Sequence, residues 1–106
     1  MERYAWKNRV KDGMQDEYVK RHNELFWPEM TEMFNAAGVH NYSIWMVGDE
    51  VFGYMECEDG VEKAIAYQKA SEVKARWDEY MKDILIRDID PETGKPKLVR
   101  QIFMHE

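Results

Sequence analysis

The order of hydrophobic periodicities along the 106-residue chain predicts an α+β, ferredoxin-like (βαββαβ) domain, an antiparallel sheet with helices on one face. Three observations carry this. Apolar residues alternate with polar ones in four separated stretches. They recur at helical spacing between the first and second stretch and again between the third and fourth. A short glycine-containing turn joins the middle two.

Arg3 to Val10 alternates, with Tyr4, Trp6 and Val10 on one side and Lys7 and Arg9 on the other, which reads as a strand. Lys11-Asp12-Gly13 supplies the turn. From Met14 the spacing changes to Met14, Tyr18, His22, Leu25 and Phe26, one stripe of a helix. Pro28 cannot continue that helix cleanly, and Trp27 before it is steered away from helical angles. A break is expected there, with Pro28 opening a second helical piece through Met33, Phe34 and Ala37 and Gly38 closing it. Asn41 to Val47 and Val51 to Glu58 alternate on either side of Gly48-Asp49-Glu50, the pattern of a hairpin. After Asp59-Gly60, Val61 to Lys69 and Ser71 to roughly Ile86 read as helices. The second has a stripe of Val73, Trp77, Tyr80, Met81 and Ile84, with Ser71 as its cap. Asp88 to Pro96 is a loop, and Leu98 to His105 is the expected final strand.

The length fits one domain, residues 1–106. Hydrophobic residues make up 44% and charged residues 34%, a globular balance. The net charge is −6 with no block of Lys and Arg, which argues against a nucleic-acid partner. No apolar run approaches membrane-spanning length, so no membrane partner is expected. Cys57 is the single cysteine, which excludes an internal disulfide and fits a reducing compartment. The first residues lack the basic-then-apolar pattern of a signal peptide, so a cytoplasmic location is expected. Large apolar groups occupy both faces of the strands: Tyr42, Ile44 and Met46 against Trp45 and Val47, and Leu98, Ile102 and Met104 against Val99 and Phe103. Helices cover only one face. A second copy of the sheet is the most economical cover for the other, which predicts a homodimer.

Of the three histidines, His22 lies on the apolar stripe of the first helix, one turn after Tyr18. Its imidazole titrates near neutrality and can give or take a proton. An isolated histidine on such a stripe is more often a core residue with a satisfied ring. His40 reads as an exposed turn residue and His105 as solvated. No His-x-x-x-His or Cys-x-x-Cys spacing, glycine-rich phosphate loop, dinucleotide fingerprint or G-x-S-x-G elbow is present. No metal and no cofactor are therefore expected. Trp77 reads as core. Trp27, at the helix break, suits either stacking on a sugar or stapling the break, and Tyr42 suits packing or a pocket rim.

Together these residues resemble the L-rhamnose mutarotase family. Glu17-Tyr18-Val19-Lys20-Arg21-His22-Asn23 is similar to the family's E-Y-x-x-R-H-[ND] helix. Trp27-Pro28-Glu29-Met30 resembles W-P-E-[LM], and Gly38-Val39-His40-Asn41-Tyr42-Ser43-Ile44 resembles G-x-x-[ND]-Y-[AS]-I. Arg76-Trp77-Asp78-Glu79-Tyr80-Met81-Lys82-Asp83-Ile84 resembles R-W-W-x-x-M-x-D-[IVL]. The blocks fall in order over nearly the whole chain. The resemblance implies a dimeric α/β barrel that interconverts the anomers of a 6-deoxy aldose, with His22 as proton donor. It implies sugar contacts from Tyr18, Tyr42 and Trp77, with Trp27 and Asp78 at the same pocket. Two departures stand out. Five steps separate His22 from Trp27, one more than the family's spacing, which turns a helical side chain by roughly a hundred degrees. Asp78 stands where the family has a second tryptophan. Two rival functions share the features: a cofactor-independent oxygenase on the same barrel, and a non-catalytic sugar-binding domain.

Overall fold

The structure is a computed structural model that describes every residue except Lys95 and Leu98. Its elements run β1 (Glu2–Val10), α1 (Gln15–Asn23), α2 (Pro28–Ala36), β2 (Val39–Val47), β3 (Glu50–Cys57), α3 (Val61–Ala70), α4 (Glu72–Met81) and β4 (Leu85–Arg87). The strands form one antiparallel sheet in the order β2-β3-β1-β4. Each helical pair is a crossover that passes over one strand, β1 to β2 over β3 and β3 to β4 over β1. This is the ferredoxin-like α+β arrangement the periodicities predict.

Local chemistry sets the helix limits. Trp27 takes extended angles, φ −80° and ψ 130°, as a residue before proline prefers, and Pro28 fills the first turn of α2 where an N–H is not needed. The expected break is therefore present. Gly38, at φ +74°, reverses the chain from α2 into β2, a conformation that a Cβ disfavours. Ser71 caps α4, its Oγ accepting from the Lys74 N–H at 3.2 Å.

The core lies between the sheet and the helices. Val10 and Val51 from the sheet meet Tyr18, Met30, Met33, Trp77, Met81 and Ile84. A smaller cluster of Val39, Met55, Cys57 and Ala64 fills the space under α3. The other sheet face carries exposed apolar side chains. Trp45 and Val47 are 68% and 69% exposed, and Phe52 beside Trp45 is 37% exposed.

Two expectations are corrected at the C-terminal end. The last helix stops at Met81 rather than near Ile86, and the fourth strand is Leu85–Arg87 rather than Leu98 to His105. The Ile84 N–H bonds to the Met81 carbonyl at 3.1 Å, tightening the turn, and Leu85, Ile86 and Arg87 then pair with Val10, Arg9 and Asn8. Ile84 and Ile86 suit a helix or a strand equally. The free edge of β1 decides between them, a partner far away in sequence. Residues 99–106 form no strand, and Leu98 lies outside the described residues. Ile102 and Phe103, expected in that strand, are exposed.

One close approach organises the inner face. Trp6 faces Gly53 across the β1–β3 pair, and a Cβ built on Gly53 would overlap the indole. Glycine lets the ring lie flat over the strand, where Nε1 donates to the Tyr42 hydroxyl at 2.9 Å. Gly53→Ala is expected to displace Trp6 and to lower stability by about 1–3 kcal/mol, the usual range for overpacking. Urea unfolding followed by tryptophan fluorescence checks this. An unchanged midpoint would show that the indole has room to move.

Candidate active site

The site begins with an arginine clamp. Arg21, buried on α1, places Nη1 on the Tyr80 carbonyl at 2.8 Å and on Asp83 Oδ1 at 2.9 Å. Its Nη2 reaches Asp83 Oδ2 at 3.2 Å, and its Nε donates to Glu17 at 3.0 Å. The guanidinium also lies 4.4 Å from the centre of the Tyr80 ring. All of these partners except Glu17 lie at the C-terminal end of α4 or just beyond it, so Arg21 ties α1 to α4. Hydrogen bonding to Arg21 holds the Asp83 carboxyl below its usual range.

His22 follows directly and is thereby set against Trp77, edge-on with 5.3 Å between ring centres. The Tyr18 ring lies 4.4 Å from it and that of Phe26 6.1 Å. Its Nδ1 is 2.9 Å from the Tyr18 carbonyl. A carbonyl only accepts, so Nδ1 carries the proton and Nε2 is the nitrogen available to a ligand. Burial lowers the His22 pKa below 6.5, only partly opposed by the bond to Tyr18. The ring is therefore neutral at neutral pH, with a basic Nε2.

The cavity beside it measures about 710 Å³, within the range of roughly 300–1,000 Å³ usual for small-molecule sites. Five of the six residues singled out by sequence line it: Tyr18, His22, Tyr42, Trp77 and Asp78. Trp27 does not. It packs edge-on behind Trp77 at 5.1 Å and tilts against Tyr80 at 5.3 Å, buttressing the wall from outside. The extended backbone of Trp27, which Pro28 imposes, turns the chain here before α2 begins.

Burial raises the pKa of both Tyr18 and Tyr42 well above the ordinary phenol value, so both are neutral hydroxyls. Because the Tyr42 oxygen already accepts from Trp6, its own proton is free to donate to a ligand. Asp78 is bound by Lys74 from the preceding turn at 2.6 Å and by Arg87 of β4 at 3.4 Å. Sequence reasoning missed Trp6, Asn8, Gln68 and Lys74 on the cavity wall. The inward phase of Trp6 within β1 was readable, and so was the four-residue spacing of Lys74 and Asp78. The approach of Arg87 was not, because it depends on where β4 forms. His40 is exposed and bonded to Glu58 at 3.0 Å, and neither it nor His105 lines the cavity. Among the described residues no three His, Cys, Asp or Glu side chains converge to hold a metal ion.

Fold and site together define a βαββαβ domain in which one histidine, packed among aromatic rings, lines a cavity with tyrosine hydroxyls. Comparison with known proteins narrows the class. The family profile of L-rhamnose mutarotases matches residues 3–105, and the chain belongs to that family, making it an isomerase of the mutarotase class. It is 44% identical over 89 residues to the L-rhamnose mutarotase of Listeria monocytogenes serovar 1/2a, covering 80% of this chain and 81% of that protein. It is 39% identical over 87 residues to that of Lachnoclostridium phytofermentans, with the same shares of each chain. The crystal structure of L-rhamnose mutarotase FA22100 from Formosa agariphila superposes with a TM-score of 0.77 at 25% identity, covering 100% of both chains. Tetracenomycin F2 cyclase from Streptomyces glaucescens shares the fold alone, with a TM-score of 0.65 at 13% identity over 99% of this chain and 100% of the cyclase. These relatives do not favour the oxygenase or the non-catalytic binding reading.

The His22 titration is expected to have its midpoint below 6.5, measured from the imidazole NMR signals. The sign for stability follows from linkage. The unfolded chain takes up the proton first, so stability is complete above pH 6.5 and falls as pH drops toward the folded midpoint. A midpoint above 6.5 would contradict the burial of the ring.

Proposed function

We propose that the protein interconverts the α and β anomers of L-rhamnose or a related 6-deoxy aldose by acid–base ring opening, with His22 moving the protons and no cofactor. The observation that carries this is the His22 ring, with Nδ1 tied to a carbonyl and Nε2 free beside a sugar-sized cavity. Neutral Nε2 takes the proton from the anomeric hydroxyl. The imidazolium then gives a proton to the ring oxygen as the bond from C1 to that oxygen breaks, leaving an open-chain aldehyde. Both oxygens are bonded to C1, so one nitrogen can serve each in turn. The aldehyde turns about the C1–C2 bond, and the steps reverse to close the other anomer. His22 is thus the proton donor of the ring-opening step, having first acted as base.

Tyr18, Tyr42 and Trp77 hold the sugar in this reading, the hydroxyls by hydrogen bonds and the indole by stacking. Asp78 presents a carboxylate where the family has an aromatic ring, so it selects among aldoses by their hydroxyls. Trp27 contributes through Trp77, which it supports from behind. The chain acts as a single cytoplasmic domain, residues 1–106. It pairs with a second copy through the outer sheet face, where Trp45, Val47 and Phe52 make an apolar surface that the chain's own helices cannot reach.

His22→Ala is expected to lose about 10²–10⁴-fold in anomeric exchange while the fold survives, since one positioned proton-transfer group is removed. Tyr18→Phe should lose less, because the buried ring remains. Saturation-transfer NMR on L-rhamnose measures the exchange, with circular dichroism as the folding control. A folded His22→Ala protein that exchanges anomers at the wild-type rate would remove the assignment.

The dimer has its own test. Light scattering at micromolar concentration is expected to return twice the chain mass, and Trp45→Lys should shift the population toward monomer. A monomer mass for the wild type refutes the pairing.

A further inference from the structure

The chain as a whole is acidic, with a net charge of −6, yet the wall of its cavity is basic. Among the described residues, Asp78 is the one carboxylate that lines it, against Lys69, Lys74 and Arg87. Lys74 Nζ lies 2.6 Å from Asp78 Oδ1, and Arg87 Nη2 lies 3.4 Å from Asp78 Oδ2. One carboxylate is thus shared by two cations. Neither cation has a second acidic partner within ion-pair distance among the described residues. A surplus positive charge therefore remains on the wall, and the half-buried position of Lys74 keeps it from being fully screened. Arg87 joins the wall because β4 pairs it with Asn8, which lines the same cavity. Trp77 links this trio to His22: it precedes Asp78 in the chain, and its ring centre is 5.3 Å from that of the imidazole.

We propose that the cavity takes hexuronates, aldoses with a carboxylate at C6, in addition to neutral 6-deoxy sugars, and that Lys74 and Arg87 bind the anion. This deepens the mutarotase reading and rests on it, since the same ring opening at C1 acts on a sugar whose methyl group is replaced by a carboxylate. A lysine carries three N–H donors and an arginine five, so each can take a second acceptor without releasing Asp78. A carboxylate offers two oxygens that only accept, one for each cation. A neutral sugar closing over this wall withdraws the surplus cation from water and returns no charge to it. The Lys74–Asp78–Arg87 trio carries one surplus charge, which matches a carboxylate better than a phosphate ester of roughly two negative charges.

The test uses three sugars of one configuration that differ only at C6: L-rhamnose with a methyl group, L-mannose with a hydroxymethyl group and L-mannuronate with a carboxylate. Saturation-transfer NMR gives the rates, with the exchange that occurs without protein subtracted. Wild type is expected to show a kcat/KM about tenfold higher for L-mannuronate than for L-mannose, the effect of one charge-assisted contact. That preference should fade between about 0.01 M and about 1 M salt, as the screening length drops from roughly 30 Å to roughly 3 Å. Lys74→Met, which keeps an unbranched chain and removes the charge, should abolish the preference, and Arg87→Gln is a second variant of the same kind. Asp78→Asn, which releases both cations, should raise the preference about threefold. Circular dichroism is the folding control. A trio that only holds the wall together would instead lose activity on both sugars alike in every variant, and that result overturns the proposal. Equal kcat/KM for L-mannuronate and L-mannose in wild type also overturns it, while continued exchange of L-rhamnose leaves the mutarotase reading in place. Wild-type protein that exchanges none of the three sugars removes the mutarotase reading, and the uronate proposal with it.

Discussion

The Arg21 clamp is the interaction on which the site depends. A helix of nine residues is too short to hold its place by its own hydrogen bonds. The break at Trp27 also keeps α2 from extending it. What fixes it is a buried guanidinium with a bidentate carboxylate on one side, a backbone carbonyl between, and an aromatic ring beneath. Asp83 itself is largely exposed, so the pair is only half withdrawn from water. That geometry avoids the large desolvation penalty of a fully buried ion pair while keeping directional bonds. Because His22 is the next residue, the clamp fixes the angle at which the imidazole meets Trp77. The i to i−4 bond from Nδ1 to the Tyr18 carbonyl then fixes the rotation of the ring.

A second constraint comes from the sheet. Gly53 makes room for the Trp6 indole, and the indole in turn holds the Tyr42 hydroxyl. Three strands thus cooperate to aim one phenol: β1 supplies the indole, β3 the space, β2 the hydroxyl. The cavity walls have different chemical characters in consequence. Helix α1 and the aromatic cluster around Trp77 place the His22 imidazole in apolar surroundings, where burial lowers its pKa. The first turns of α4 supply the charged pair Lys74 and Asp78.

Asp78 shows how a charge is accommodated on a largely aromatic wall. A lone carboxylate on the cavity wall would carry a charge at odds with its apolar neighbours. Lys74, one turn earlier, and Arg87, from β4, neutralise it. The pocket thereby holds an ion-paired acceptor without an isolated charge. The short strand β4 takes part in this only because it occupies the β1 edge.

The sequence by itself determined the order of elements, the hairpin, the break at Trp27-Pro28, the Ser71 cap and the helical turn that joins Tyr18 to His22. These depend on nearest-neighbour chemistry: period, proline and glycine geometry, and i to i+4 spacing. It also brought Tyr42, Trp77 and Asp78 to notice through resemblance to a family. Tertiary structure alone decided the rest. Whether Leu85–Arg87 continues a helix or becomes a strand depends on an open edge about eighty residues away in the chain, and no local period reports that edge. By pattern Trp77 read as core and Trp27 suited either stacking or stapling the break, yet only the crossing of the helices shows which ring lines the cavity and which stands behind. The role of Arg21 beside His22 was invisible for the same reason: its partners, Tyr80 and Asp83, lie 59 and 62 residues further on. Local patterns specify which conformations a segment can adopt, and long-range packing selects among them.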